Sequence, residues 1–147
     1  MKTAIVYYSK HHGNTKKLID AIMETGDVTL IDVTKQSEYD LSSFDFIGFA
    51  SGIYYQKYSE KVLEFAEHNL PDSKKVFFIY TYGVKRDSYT TAIQSAVEKK
   101  NAKVMGAYGC KGFDTFGPFK FVGGIAKGRP NKDDIAGAVD FFKEITK

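Results

Sequence analysis

Two alternating periodicities constrain this chain more than any other feature. Short unbroken apolar runs, rich in β-branched and aromatic residues, are separated by stretches whose apolar residues recur every three or four positions. The runs are Thr3–Tyr8 ("TAIVYY"), Val28–Val33 ("VTLIDV"), Asp45–Ala50 ("DFIGFA"), Lys75–Thr81 ("KVFFIYT") and a glycine-interrupted Val104–Cys110. A strand that is apolar at successive positions is covered on both faces, as strands of parallel sheets are. Helical patterns follow. Asn14–Thr25 carries Leu18, Ile19, Ile22 and Met23 on one stripe, with Gly26 as a stop. Ser59–Asn69 carries Val62, Leu63, Phe65 and Ala66 and is ended by Pro71. Ser88–Lys100 turns Ala92, Ile93, Ala96 and Val97 inward, and Asp133–Ile145 forms the last helix. Thr34–Ser43 is polar and turn-rich. The order predicts an α/β domain with a five-stranded parallel sheet and right-handed crossovers.

A length of 147 residues suits a single domain over 1–147, and 43% apolar with 15% aromatic residues supplies a sizeable core. The net charge is 21 − 18 = +3. The lysines are scattered, without the clustered patch of a nucleic-acid binder, so no nucleic-acid partner is expected. One cysteine excludes an internal disulfide and suits a reducing, cytoplasmic setting. The N-terminal apolar run is too short to span a membrane, and no small-residue cleavage site follows it.

The junction between the first strand and first helix, Tyr7–Lys17, reads "YYSKHHGNTKK". In doubly wound sheets ligands sit at the carboxyl ends of the strands. A helix N-terminus there offers unpaired N–H groups and the positive end of the helix dipole, a ready anion site. Ser9, Asn14 and Thr15 add polar donors, and Gly13 permits close backbone approach. Neither a Walker loop nor a dinucleotide fingerprint is present. The competing reading is an ordinary helix capped by Asn14 or Thr15, but a cap needs one residue and this loop supplies several.

The segment Ser9-Lys10-His11-His12-Gly13-Asn14-Thr15 resembles the phosphate loop of flavodoxins, which typically reads S/T-x-T-G-N-T after the first strand. Ser9, Gly13, Asn14 and Thr15 match. One residue is extra, and His12 stands where a threonine is usual. This seven-residue version resembles that of the flavodoxin-like protoporphyrinogen oxidases of bacteria. Two further segments carry the resemblance. Ser51-Gly52-Ile53-Tyr54-Tyr55 follows the third strand, and Thr81-Tyr82-Gly83 follows the fourth. The resemblance implies a three-layer sandwich with strand order 2-1-3-4-5 and helices on both faces.

It also implies bound FMN, with the phosphate on Ser9–Thr15 and Lys10 adding charge. Tyr54 is the residue expected to stack on the flavin ring, with Tyr55 as substitute. The Gly52 peptide would turn a carbonyl toward flavin N5, a flip that glycine makes inexpensive. Thr81, Tyr82 and Gly83 would offer backbone N–H groups to the ring's pyrimidine edge. Val84 stands where some short-chain flavodoxins have a stacking tryptophan. His11 and His12 read either as hydrogen-bond donors near the phosphate or as a solvated pair. With His68 and Cys110 the only other soft ligands, a metal site is not expected. Cys110 reads as a small buried residue.

The loop Gly112–Asn131 is rich in Phe113, Phe116, Phe119, Phe121, Lys120, Lys127 and Arg129. It reads either as a lid near the flavin or as a loop packed on itself. The first functional expectation is an electron carrier between a reductase and an acceptor protein, monomeric or weakly dimeric. The second is an FMN-dependent oxidoreductase on a small molecule, such as a quinone reductase or a protoporphyrinogen-oxidase-like dehydrogenase. A response regulator would need acidic residues after the first strand and an Asp ending the third. Tyr8-Ser9 and Ala50-Ser51 stand there instead.

Overall fold

The computed structural model describes residues 1–10, 13–113 and 124–147. The chain runs β1 (Thr3–Tyr8), α1 (Asn14–Met23), β2 (Val28–Asp32), β3 (Phe46–Tyr54), β4 (Lys57–Tyr58), α2 (Glu60–Asn69), β5 (Lys75–Tyr82), a 3-10 turn (Asp87–Thr90), α3 (Thr91–Glu98), β6 (Lys103–Lys111) and α4 (Lys132–Ile145). Five parallel strands lie in the order β2-β1-β3-β5-β6. Counting the five long runs alone, this is the expected 2-1-3-4-5. Helices α1 and α4 pack side by side on one face of the sheet, and α2 and α3 on the other.

Strand alternation explains the two cores. Ile5, Phe77 and Ile79 point toward Leu18, Ile19, Ile22 and Phe142. Val6, Phe49 and Phe78 point toward Val62, Phe65, Ile93 and Val97. Gly48 pairs in register with Phe77 on the neighbouring strand. A Cβ at Gly48 would lie 2.5 Å from the Phe77 ring, so the phenyl occupies the space a side chain would need.

The structure departs from the sequence reading at three edges. The third strand does not end at Ala50: it runs on to Tyr54 because β4 turns back and pairs with it, Ile53 opposite Tyr58 and Tyr54 opposite Lys57. The third helix begins at Thr91 rather than Ser88, since Asp87–Thr90 winds as a tighter 3-10 turn. The first helix stops at Met23, where Thr25 folds its N–H and hydroxyl back onto the Ile22 carbonyl.

Tyr58 fastens the β3–β4 hairpin to the sheet. Its ring is fully buried, and its hydroxyl lies 3.0 Å from the Phe49 carbonyl and 3.0 Å from that of Ile79. Cys110 is buried at the end of β6, as the sequence suggested. Burial first, and the Asp134 carboxylate second, push its thiol up to about 12. At pH 8 almost no thiolate is present, and thiolate is the reacting species. Labelling of Cys110 by a disulfide reagent should therefore run at least about a hundredfold slower than for a free cysteine until the protein unfolds. Rapid labelling of folded protein would contradict this placement.

Candidate functional site

The loop after β1 owes its shape to Gly13. This residue takes the N-cap position of α1 with φ 65° and ψ 25°, in the left-handed region that glycine enters without penalty. Among the described residues, chain neighbours aside, no atom lies within 4 Å of where its Cβ would be. Neither Asn14 nor Thr15 caps the helix. The Lys16 N–H instead donates across the loop to Ser9 Oγ at 3.1 Å. The first intrahelical bond runs from the Lys17 N–H to the Gly13 carbonyl at 3.1 Å, so the Asn14 and Thr15 N–H groups precede the helical ladder.

Asn14 and Thr15 are buried and turned toward the sheet. The Thr15 and Thr81 hydroxyls lie 2.9 Å apart, joining the loop after β1 to the end of β5. Asn14 Nδ2 donates to the Phe113 carbonyl at 2.8 Å. Its Oδ1 is buried with no hydrogen-bond partner. A buried acceptor of this kind needs a donor from somewhere. Lys10 is exposed, and its N–H donates to the Tyr54 hydroxyl at 3.4 Å. His11 and His12 lie outside the described residues.

The second loop is tighter than the sequence suggested. Ser51, Gly52, Ile53 and Tyr54 belong to β3, and only Tyr55 and Gln56 turn the chain. Both turn residues have positive φ, 50° and 67°, as a two-residue hairpin of the primed type demands. Asn-Gly is the usual choice there. A tyrosine and a glutamine in the left-handed region are a local strain held by the pairing around them. Ser51 is fully buried; its hydroxyl donates to the Gly52 carbonyl and accepts from the Ser59 N–H at 3.0 Å. Tyr54 folds back over Gly52: its hydroxyl is 2.9 Å from where a Cβ at Gly52 would sit. Its ring meets Tyr8 edge-on at 5.5 Å. Tyr55 projects outward, 81% exposed.

Thr81 and Tyr82 end β5, and Gly83 follows them. The Tyr82 ring lies 5.9 Å from Tyr80 and 6.0 Å from Tyr89. Val84, beyond Gly83, is 48% exposed.

These ends converge on one cleft of about 360 Å³, counting the space open to solvent. Ser9, Asn14 and Thr15 come from the first loop, Gly52, Ile53 and Tyr54 from the second, Thr81 and Tyr82 from the third. Lys10, Gly13, Ser51, Tyr55 and Gly83 stand beside the cleft and do not line it. Gly112 and Phe113 complete the wall, a pair not selected from sequence as site residues. Gly112 is fixed on two sides. Its N–H donates to the Tyr82 carbonyl at 2.9 Å, and a Cβ there would fall 2.6 Å from Asn14 Nδ2. Phe113 is held from behind, its N–H donating to the Arg129 carbonyl at 2.8 Å. Arg129 in turn grips Asp134 through Nε at 2.5 Å and Nη2 at 2.7 Å. That bond first, and the Asn131 N–H, hold the Asp134 carboxyl below its usual range. The Arg129 charge is thus spent on anchoring α4. Phe116, Phe119, Lys120 and Phe121 lie outside the described residues.

Residues 5–113 match the family model of the flavodoxin domain. The chain belongs to the flavodoxin family. An uncharacterized protein of Methanocaldococcus jannaschii, MJ0298, is 34% identical over 149 residues, covering 100% of this chain and 99% of that protein. Among solved structures, a flavodoxin from the domain Archaea superposes with a TM-score of 0.64 at 18% identity over 100% of both chains. Oxidised Flavodoxin 2 from Bacillus cereus superposes with a TM-score of 0.69 at 16% identity over 99% of this chain and 98% of that one. In this flavodoxin-family chain the cleft lies where the fold rule for doubly wound sheets places ligands, at the carboxyl ends of the central strands.

Proposed function

We propose that this cleft binds FMN and that the protein carries electrons between redox proteins. One observation carries the reading: three loops, at the ends of β1, β3 and β5, meet in a single cleft beside the N-terminus of α1. The fit to FMN rests on the donor set. The open, left-handed Gly13 and the first N–H groups of α1 suit a phosphate dianion. The unpartnered Asn14 Oδ1 suits a ribityl hydroxyl. Gly52, Ile53, Tyr54, Thr81 and Tyr82 offer apolar surface and backbone groups to a planar ring. Bound FMN supplies electron transfer in one- or two-electron units, while the chain binds, orients and shields it. Among the described residues that line the cleft there is no histidine or carboxylate to serve as an acid or base.

The second reading, an oxidoreductase acting on a small molecule, is favoured by Phe113, an aromatic wall beyond the three family loops. A spectrum of protein reconstituted with FMN and photoreduced without oxygen separates the two. Reduction in two resolved one-electron stages is expected for the carrier. Direct two-electron bleaching with rapid reoxidation by a quinone supports the oxidoreductase. Failure to bind FMN overturns both.

A further inference from the structure

We propose that the rim of the cleft around the β3–β4 hairpin is a docking surface for an acidic protein partner. The inference rests on the electron-carrier reading for its biological sense, and its geometry stands independently. Two of the exposed large apolar side chains, Tyr55 and Val84, lie at the carboxyl end of the sheet, 81% and 48% exposed. They are brought to the same end by packing of β4 against the 3-10 turn Asp87–Thr90. The Tyr89 hydroxyl fixes the loop between them by donating to the Val84 carbonyl.

Cations surround this apolar centre. Lys57 follows the hairpin turn, Lys85 and Arg86 follow Val84, and all three are exposed. Lys10 joins them through its N–H contact with the Tyr54 hydroxyl. Lys111 ends β6 in register with Tyr82. Within the hairpin and the loop after β5, Lys57, Lys85 and Arg86 meet two exposed carboxylates, Glu60 and Asp87. Glu60 and Lys57 pair with each other, which leaves Lys85 and Arg86 against Asp87 in these two segments.

An apolar, aromatic centre with a charged rim is the anatomy of a transient protein interface. The sign of the rim selects an acidic partner and steers its approach. Nucleic acid would be met by a continuous basic stripe along one element. Here the cations are spread over four separate strand ends, with Lys85 and Arg86 the one adjacent pair.

The test uses two haem proteins of opposite charge, acidic cytochrome b5 and basic cytochrome c. Sedimentation detected at the haem absorbance reports binding to the FMN-reconstituted protein and, separately, to the flavin-free protein. Flavin binding is scored from the flavin spectrum of the same samples, so loss of that reading leaves this one measurable. Cytochrome b5 should bind more tightly than cytochrome c, and its affinity should fall at least about tenfold between about 20 and about 300 mM salt. Lys85→Glu with Arg86→Glu should weaken cytochrome b5 about tenfold at low salt. Lys99→Glu with Lys103→Glu, exposed at the opposite end of the sheet, should change it less than about twofold. Tighter binding of cytochrome c, equal effects of the two charge-reversal pairs, or displacement of cytochrome b5 by a single-stranded oligonucleotide would each overturn the proposal.

Discussion

Replacing Gly13 with valine and Thr15 with alanine together should weaken FMN binding about a hundredfold while the protein stays folded. At Gly13 the effect is conformational. A β-branched residue with φ near 65° costs about 1–2 kcal/mol, and nothing nearby rewards it. The chain would relax by moving the loop, and with it the N–H groups aimed at the phosphate. At Thr15 the effect is chemical. Its hydroxyl lies 2.9 Å from that of Thr81, and either can donate. When Thr81 donates, the Thr15 proton is left for an anion, a bond worth about 1.5–3 kcal/mol when the acceptor is charged. Two losses of this size sum to about 2.5–5 kcal/mol, a range that spans the roughly 2.8 kcal/mol of a hundredfold. Quenching of FMN fluorescence on titration measures the affinity, and far-ultraviolet dichroism shows the fold. Unchanged affinity in the folded double variant would remove the phosphate-loop assignment.

The largest effect on stability is expected at Phe77. Phe77→Ala should cost about 3–5 kcal/mol, a sizeable part of what holds a domain of this size together. The ring is fully buried on the central strand pair, 5.7 Å from Phe142 and 6.3 Å from Phe141, and it covers Gly48. Because Gly48 has no side chain, it cannot help to fill the space that Phe77 vacates. The same geometry makes Gly48→Ala costly by about 1–3 kcal/mol in the wild-type background, since the new methyl meets the ring. In the Phe77→Ala background it should stabilise by roughly 0.5–1 kcal/mol, because a better strand residue then fills part of the cavity. Urea unfolding of the four proteins closes the cycle. Additive effects would show that the two positions do not share their volume.

Much of this architecture is legible in the residues because each long strand is apolar on both faces and each helix has one stripe. The strand order follows from the resemblance at Ser9–Thr15 rather than from periodicity, which says nothing about neighbours. Boundaries fail where tertiary contacts outvote local pattern. Ser51–Tyr54 looks like a loop because its apolar run has lapsed, yet pairing with Lys57–Tyr58 keeps it extended. Tyr55-Gln56 lacks the Asn-Gly signature of a primed turn, so the hairpin is invisible to turn chemistry. Ser9 appears as one donor among several, and only the folded loop shows that it accepts from Lys16. Gly112 and Phe113 escape selection because they are brought to Asn14 by sheet order, ninety-nine residues along the chain in the case of Phe113.

The buried Tyr58 hydroxyl divides the hairpin mechanically. Its contact with the carbonyls of β3 and β5 makes the base of the hairpin part of the sheet, as stiff as the strands it bridges. Any yielding on that side of the cleft is then confined to the swivel at Tyr55 and Gln56, where two non-glycine residues already sit in a sparsely populated conformation. The wall facing a ligand thus behaves as a fixed bracket with a sprung tip. In the proposed FMN complex, fit to the ring plane and presentation of Tyr55 to the proposed partner would be adjusted by the same two residues.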